Sequence, residues 1–169
     1  KIFQNAKSAL EDFKFMLPLI RSLQSKTVNA PKIEFYDTPQ AVMGIYRIFD
    51  EAPTARFLSS IERVNNSFPQ ELKKWLRGYK SGAIFVKGKH LLSDTKIDRE
   101  WGKEAVQYGQ KVRILPPGTR MEMDFSITDG ILAITSFDPL FIVVIQSESI
   151  AQSAAQLFDL AWVSGKEIV

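Results

Sequence analysis

The stretch from Lys111 to Ser147, KVRILPPGTRMEMDFSITDGILAITSFDPLFIVVIQS, constrains the fold more than any other part of the chain. VRIL is closed by Pro116-Pro117-Gly118, MEMDFSIT alternates apolar and polar residues, and Asp129-Gly130 separates it from ILAITS. Asp-Gly between two β-rich runs predicts a hairpin, because these residues accept the positive φ that a tight primed turn requires. FIVVIQS follows without alternation, which predicts a central strand buried on both faces in a sheet covered by helices.

The rest of the chain supplies that cover. IEFYDT reads as a first strand, and Thr38 is placed to cap a helix, PQAVMGIYRIFDEA, with Pro39 at its first position. ARFLSS reads as a strand, followed by a helical region from Ser60 or Glu62 whose later part, PQELKKWLRGYKSG, stops at Gly82. AIFVKG reads as the third strand and KHLLSDTK as an irregular loop. IDREWGKEAVQYG is a helix ending at Gly109. From Glu148 to Val163 one helical face carries Ile150, Ala154, Leu157, Phe158, Ala161 and Trp162. The predicted class is α/β, a mixed sheet with helices on both faces.

Ahead of this domain, Ile2, Ala6, Ala9, Phe13, Met16, Ile20 and Leu23 recur at heptad spacing, with Phe3, Leu10 and Leu17 in a second column and Pro18 as a break. Two readings fit: a helix packed on its own domain, or a dimerising helix that also links to a further N-terminal module. The predicted organisation is a helical linker and dimerisation segment over 1–24, a polar connector over 25–32, and the α/β domain over 33–169. Because Lys1 already stands inside the helical pattern, an N-terminal part is expected to be missing.

Composition excludes several classes. With 45% apolar and 24% charged residues the chain is globular, and a net charge of +3 is too small to argue for nucleic acid by itself. The absence of cysteine excludes disulfides and thiolate metal sites, and fits a reducing cytoplasm. No apolar window approaches a membrane span and no signal-peptide layout appears, so a cytoplasmic protein without membrane contact is expected. Neither a Walker pattern nor G-x-G-x-x-G occurs, and no cofactor is expected. The single histidine, His90, falls in the expected loop beside Lys87, Lys89 and Asp94 and reads as exposed. Lys73, Lys74, Arg77 and Lys80 share a helix with Leu72, Trp75, Leu76 and Tyr79, the pattern of a solvated amphipathic helix rather than a DNA reader. Carboxylates gather at Glu122, Asp124, Asp129 and Asp138. On a strand Glu122, Asp124 and Ser126 project from one face, where they could hold a cation, bind sugar hydroxyls or face water.

The order IEFYDTPQAVMGIYRIFDEA, RILP, ITDGILAITS and VVIQSESIAQSAAQLFDLAW resembles the C-terminal domain of TrmB-family transcriptional regulators, the branch with a phospholipase D-like fold. The Leu17-Pro18-Leu19 step is similar to the segment that joins this domain to a winged-helix module. The similarity runs over essentially the whole chain. Phospholipase D enzymes carry His-x-Lys, an aspartate after four intervening residues, and a Gly-Ser-x-Asn turn. With Asp129 on the motif's aspartate, Glu122 stands at the histidine and Asp124 at the lysine; Thr135, Ser136 and Asp138 fall on the turn in a register one residue shorter. Two carboxylates there would repel a phosphodiester by roughly 1 kcal/mol or more per close pair.

The resemblance therefore implies the non-catalytic effector-sensing and dimerisation domain of a regulator, not an enzyme. It would be a homodimer reaching DNA through a missing N-terminal module. It would bind a sugar or other small metabolite near Glu122, Asp124, Asp129, Ser136 and Asp138, with no metal. The alternatives are a phosphodiesterase or nuclease of the phospholipase D superfamily, or a domain that only dimerises.

Overall fold

A computed structural model describes residues 30–168. The segment 1–24, with its apolar seam and its expected role in dimerisation, lies outside the described residues, as does most of the connector. From Lys32 onward the chain is one compact unit.

Eight strands form a single sheet: β1 (Lys32–Tyr36), β2 (Thr54–Ser59), β3 (Lys87–Leu92), β4 (Lys111–Ile114), β5 (Met123–Thr128), β6 (Ile131–Phe137), β7 (Leu140–Gln146) and β8 (Lys166–Glu167). Their order is β1-β7-β6-β5-β2-β3-β4-β8. β2, β3 and β4 run parallel, and every other pairing is antiparallel. Five helices accompany them among the described residues: α1 (Pro39–Asp50), α2 (Ile61–Ser67), α3 (Glu71–Ser81), α4 (Lys96–Gln107) and α5 (Glu148–Trp162).

Local chemistry sets the boundaries. The Thr38 hydroxyl accepts from Ala41 N at 3.3 Å, and Pro39 occupies the first turn of α1. Gly82 closes α3 at φ 73°, and Gly130 turns the β5–β6 hairpin at φ 72°, both in the left-handed region that a side chain disfavours.

Strand alternation sorts the core into two layers. Toward α1–α4 point Ala55, Leu92, Val112, Ala133, Ile142 and Val144, packed with Phe49, Val64, Trp75 and Trp101. Toward α5 point Leu91, Ile127 and Leu132, packed with Phe158. Helices thus cover both faces, four on one and one on the other.

Three expectations are corrected. FIVVIQS is not a central strand: β7 lies one place in from the edge, and its apolar run arises because Ile142 and Val144 face α1 while Ile145 meets the α5 layer and Phe141 stacks on Phe35 of β1. KHLL is not a loop but the body of β3, whose alternation Lys-Gly-Lys-His hides one buried face behind two lysines. On α5, Leu157 is exposed, and Ala151 joins Phe158 inside.

If both layers carry the fold, Phe49→Ala and Phe158→Ala each lower the unfolding free energy by about 3–5 kcal/mol in urea titration. A loss confined to Phe49→Ala would show that α5 adds little to the core.

Candidate functional site

The buried polar groups of the sheet meet where β5, β6 and the end of β2 face α1 and α2. Asp124 on β5 is 3% exposed. Its Oδ1 accepts from Ser60 N at 3.1 Å, and its Oδ2 accepts from the Tyr46 hydroxyl at 3.1 Å. The Tyr46 hydroxyl also lies 3.2 Å from the hydroxyl of Thr135, the residue paired with Asp124 across the hairpin. Next to this cluster, Asp98 of α4 accepts from Ile61 N at 2.7 Å and from the Thr95 hydroxyl at 2.5 Å, with Ser60 Oγ at 3.4 Å.

These bonds explain why two carboxylates are buried together. The first backbone N–H groups of a helix have no partner within it. At α2 the Ser60 side chain makes no cap, and the donors of Ser60 and Ile61 are taken by Asp124 and Asp98 from two other elements. Burial is still the larger influence on both acids. It pushes Asp124 up to about 7, with Asp98 nearby adding to the rise and the bonds from Ser60 and Tyr46 opposing it. Asp98 is raised for the same first reason, and Tyr46 is driven well above its usual value by burial and by the Asp124 charge.

His90 corrects its expectation most sharply: it is a core residue of β3, 4% exposed. Its ring stacks on Phe57 at 4.7 Å and meets Trp101 edge-on at 5.1 Å. Nε2 lies 3.2 Å from Gln110 Oε1, which also accepts from Gly88 N. Burial lowers its pKa to about 4, so it is neutral at pH 7. His90, Asp124, Tyr46, Asp50 and Trp101 line one small cavity of about 30 Å³. That is one water molecule's share of space, and too small for a sugar. Asp50 at its edge is pushed up to about 6 by burial. Tyr46 and the start of α2 lie directly against Asp124.

The five expected ligand residues do not converge. Glu122 is exposed just before β5 and forms an ion pair with Arg63 of α2, close to Asp124 in the chain but on the rim. Asp138 is exposed in the turn between β6 and β7. Ser136 is buried, but on alternation it points to the α5 side of the sheet, away from Asp124. Asp129 sits in the hairpin turn at the far end of β5. Among the described residues no group of three or more potential ligands is placed to hold a metal ion, and no helix is long and apolar enough to cross a membrane. Asp98, Tyr46 and Ser60 were not legible as partners of Asp124, since each lies on a different element. The pairing of Thr95 with Asp98 at capping-box spacing was the one available signal.

No family model matches the chain, and no curated protein matches it by sequence. Solved structures do. Nuc from Salmonella typhimurium, a phospholipase D family member, aligns with TM-score 0.61 and 17% identity over 82% of this chain and 98% of that one. NucT from Helicobacter pylori aligns with TM-score 0.58 and 11% identity over 82% of this chain and 99% of that one. TrmBL2, an archaeal chromatin protein described with a novel mode of DNA binding, aligns with TM-score 0.56 and 15% identity. That match covers 99% of this chain, which spans 63% of the TrmBL2 chain. The fold is thus phospholipase D-like, with a TrmB-type neighbour. The expectation that the chain is not an enzyme is overturned by the likeness to Nuc and NucT: this is an enzyme-type scaffold over nearly the full length of both.

The raised acid has a measurable consequence. A carboxyl with a folded pKa near 7 and an unfolded one near 4 costs nothing below pH 4 and progressively destabilises the fold as pH rises to about 7. Asp124→Asn, which stays neutral, should therefore gain on the wild type between pH 4 and 7, by on the order of 3–4 kcal/mol at 1.36 kcal/mol per unit. A pH-independent difference in urea titration would show that Asp124 titrates normally.

Proposed function

We propose that this chain is the phospholipase D-like domain of a DNA-associated regulatory protein, a homodimer that senses a small molecule and reaches DNA through a module outside this sequence. The observation that supports this most is the TrmBL2 match, with TM-score 0.56 over 99% of this chain. Asp124, both a hydrogen-bond acceptor and, when protonated, a donor, suits a polyol with several hydroxyls.

On this reading sensing works by displacement. Asp124 is held between Tyr46 of α1 and the Ser60 N–H that opens α2. A ligand that takes its hydrogen bonds must push one of those helices aside. Binding is then tied to helix position, and an effector acts only by favouring one arrangement over the other. Of the other carboxylates, Glu122, paired with Arg63 of α2, is the one such a shift would free, and the dimer would assemble through Ile2 to Leu23.

A second reading is a phosphodiesterase of the phospholipase D superfamily. It is favoured by the near-complete coverage of Nuc and NucT, and by the placement of His90 and Asp124 on one cavity, a lone imidazole beside an acid poised near neutrality. Opening the same helices would expose both groups to a substrate.

Two measurements separate the readings. In a thermal-shift screen of sugars, polyols, amino acids and divalent cations, the regulatory reading expects at least one compound to raise Tm, and the rise to vanish in Asp124→Asn. A silent panel contradicts it. Turnover of bis(p-nitrophenyl) phosphate or nicking of a supercoiled plasmid, lost in His90→Gln, would assign the domain to the second reading.

A further inference from the structure

The face of the sheet that carries α5 is only half covered. α5 lies mainly over β2, β5, β6 and β7, and although Leu91 of β3 is buried in that layer, the same face of β3 and β4 carries Lys87, Lys89, Lys111 and Arg113. Arg56 of β2 adjoins them. The strand register places Arg56 opposite Lys89 and Lys89 opposite Lys111, so three cations stand in one row across three strands. Like charges directly opposite one another destabilise a sheet. The fold answers this row only in part, and such local conflicts concentrate at functional places.

Few carboxylates answer this charge. Asp159 of α5 pairs with both Arg56 at 2.9 Å and Lys89 at 3.2 Å, which hold its carboxyl below the usual range, and Glu167 pairs with Arg113 at 2.9 Å. Among the described residues neither Lys87 nor Lys111 has an ion pair. Residues 30–168 hold equal numbers of acidic and basic side chains, so the positive excess here is local and not a property of the whole body. The indole of Trp162 braces the row, with Lys89 Nζ 5.7 Å and Arg113 Cζ 5.1 Å from its centre.

At the start of β2, β3 and β4 the row opens into a cleft of about 540 Å³, of the size that takes a small ligand. Its walls include Arg56, Lys87, Lys89 and Lys111 together with Phe85 and Tyr108, and no carboxylate lines it. Phe85 is 62% exposed, a large aromatic ring held in water between cations. A positive groove with a free aromatic platform is the combination that binds single strands, because phosphates follow the cations and an unpaired base offers its face to the ring. A duplex hides those faces in its own stack.

We propose that this cleft binds single-stranded nucleic acid, with phosphates on Arg56, Lys87, Lys89 and Lys111 and a base on Phe85. The site lies on the opposite side of the sheet from Asp124, and it stands whichever reading of that cluster holds.

The test is fluorescence anisotropy with the full 169-residue chain, a labelled oligothymidylate of about 15 nucleotides and a duplex of equal length, at about 50 mM and 200 mM salt. The single strand should bind more tightly than the duplex. Lys87→Glu/Lys111→Glu should weaken it about tenfold or more and reduce the salt slope by about 1.4, at ~0.7 per phosphate contact. Phe85→Ala should weaken the single strand and leave duplex binding unchanged. Lys73→Glu/Arg77→Glu on α3 should change neither. The proposal is overturned by absence of binding at low salt, by preference for the duplex, or by full affinity in a folded Lys87→Glu/Lys111→Glu protein. Should that variant lose its circular dichroism, Lys87→Ala/Lys111→Ala decides by the same criterion.

Discussion

Two buried carboxyls at the head of one short helix hold the helical layer to the sheet. Left ionised and unpartnered, either would make the interior untenable. Asp124 and Asp98 avoid this by accepting the N–H groups that open α2, donors that would otherwise be stranded where Ser60 provides no cap. A single constraint thereby joins β5 to α1 through Tyr46, β5 to α2 through Ser60, and α2 to α4 through Asp98. The raised values of both acids follow from the same burial.

The resemblance puts Asp124 at the place of a lysine, and a buried lysine there would need an anion beside it. An aspartic acid needs donors instead, and the tyrosine and the helix start supply them. The substitution thus changes what must pack against the strand as well as what charge it carries. His90 belongs to the same layer, wedged between Phe57 and Trp101 and kept neutral by burial. The opposite side of the sheet has the contrary character, with uncovered cations and an exposed ring. The two faces therefore suit different kinds of contact.

Much of the architecture was legible because it is written in neighbouring residues. Asp129-Gly130 gave the hairpin, Thr38-Pro39 the start of α1, and Gly82 the end of α3, each through backbone geometry that a few adjacent side chains decide. The Leu72/Trp75 face of α3 and its solvated Lys73 and Arg77 follow the same local logic. What was missed depends on distant partners. β3 reads as part strand and part loop because its lysines face a thinly covered part of the sheet, and His90 reads as exposed because its partners Phe57, Trp101 and Gln110 come from β2, α4 and the turn before β4. Alternation allowed Glu122 and Asp124 to share a face, yet nothing local shows that one ends on the rim with Arg63 while the other is sealed under Tyr46. The opposite orientation of Ser136 needed the hairpin register, which sets it across from Met123 on the neighbouring strand.

The joining of the helices to the sheet depends on Asp124 being a sealed, partnered acid and not an ordinary carboxylate open to water. The direct measurement is a carbon-detected NMR titration of its side-chain carboxyl in the folded protein. The expected midpoint is near 7, with the Tyr46 and Ser60 resonances shifting in step. A midpoint near 4, unaccompanied by those shifts, would contradict it, and would mean that the place where β5 meets α1 and α2 is open to solvent.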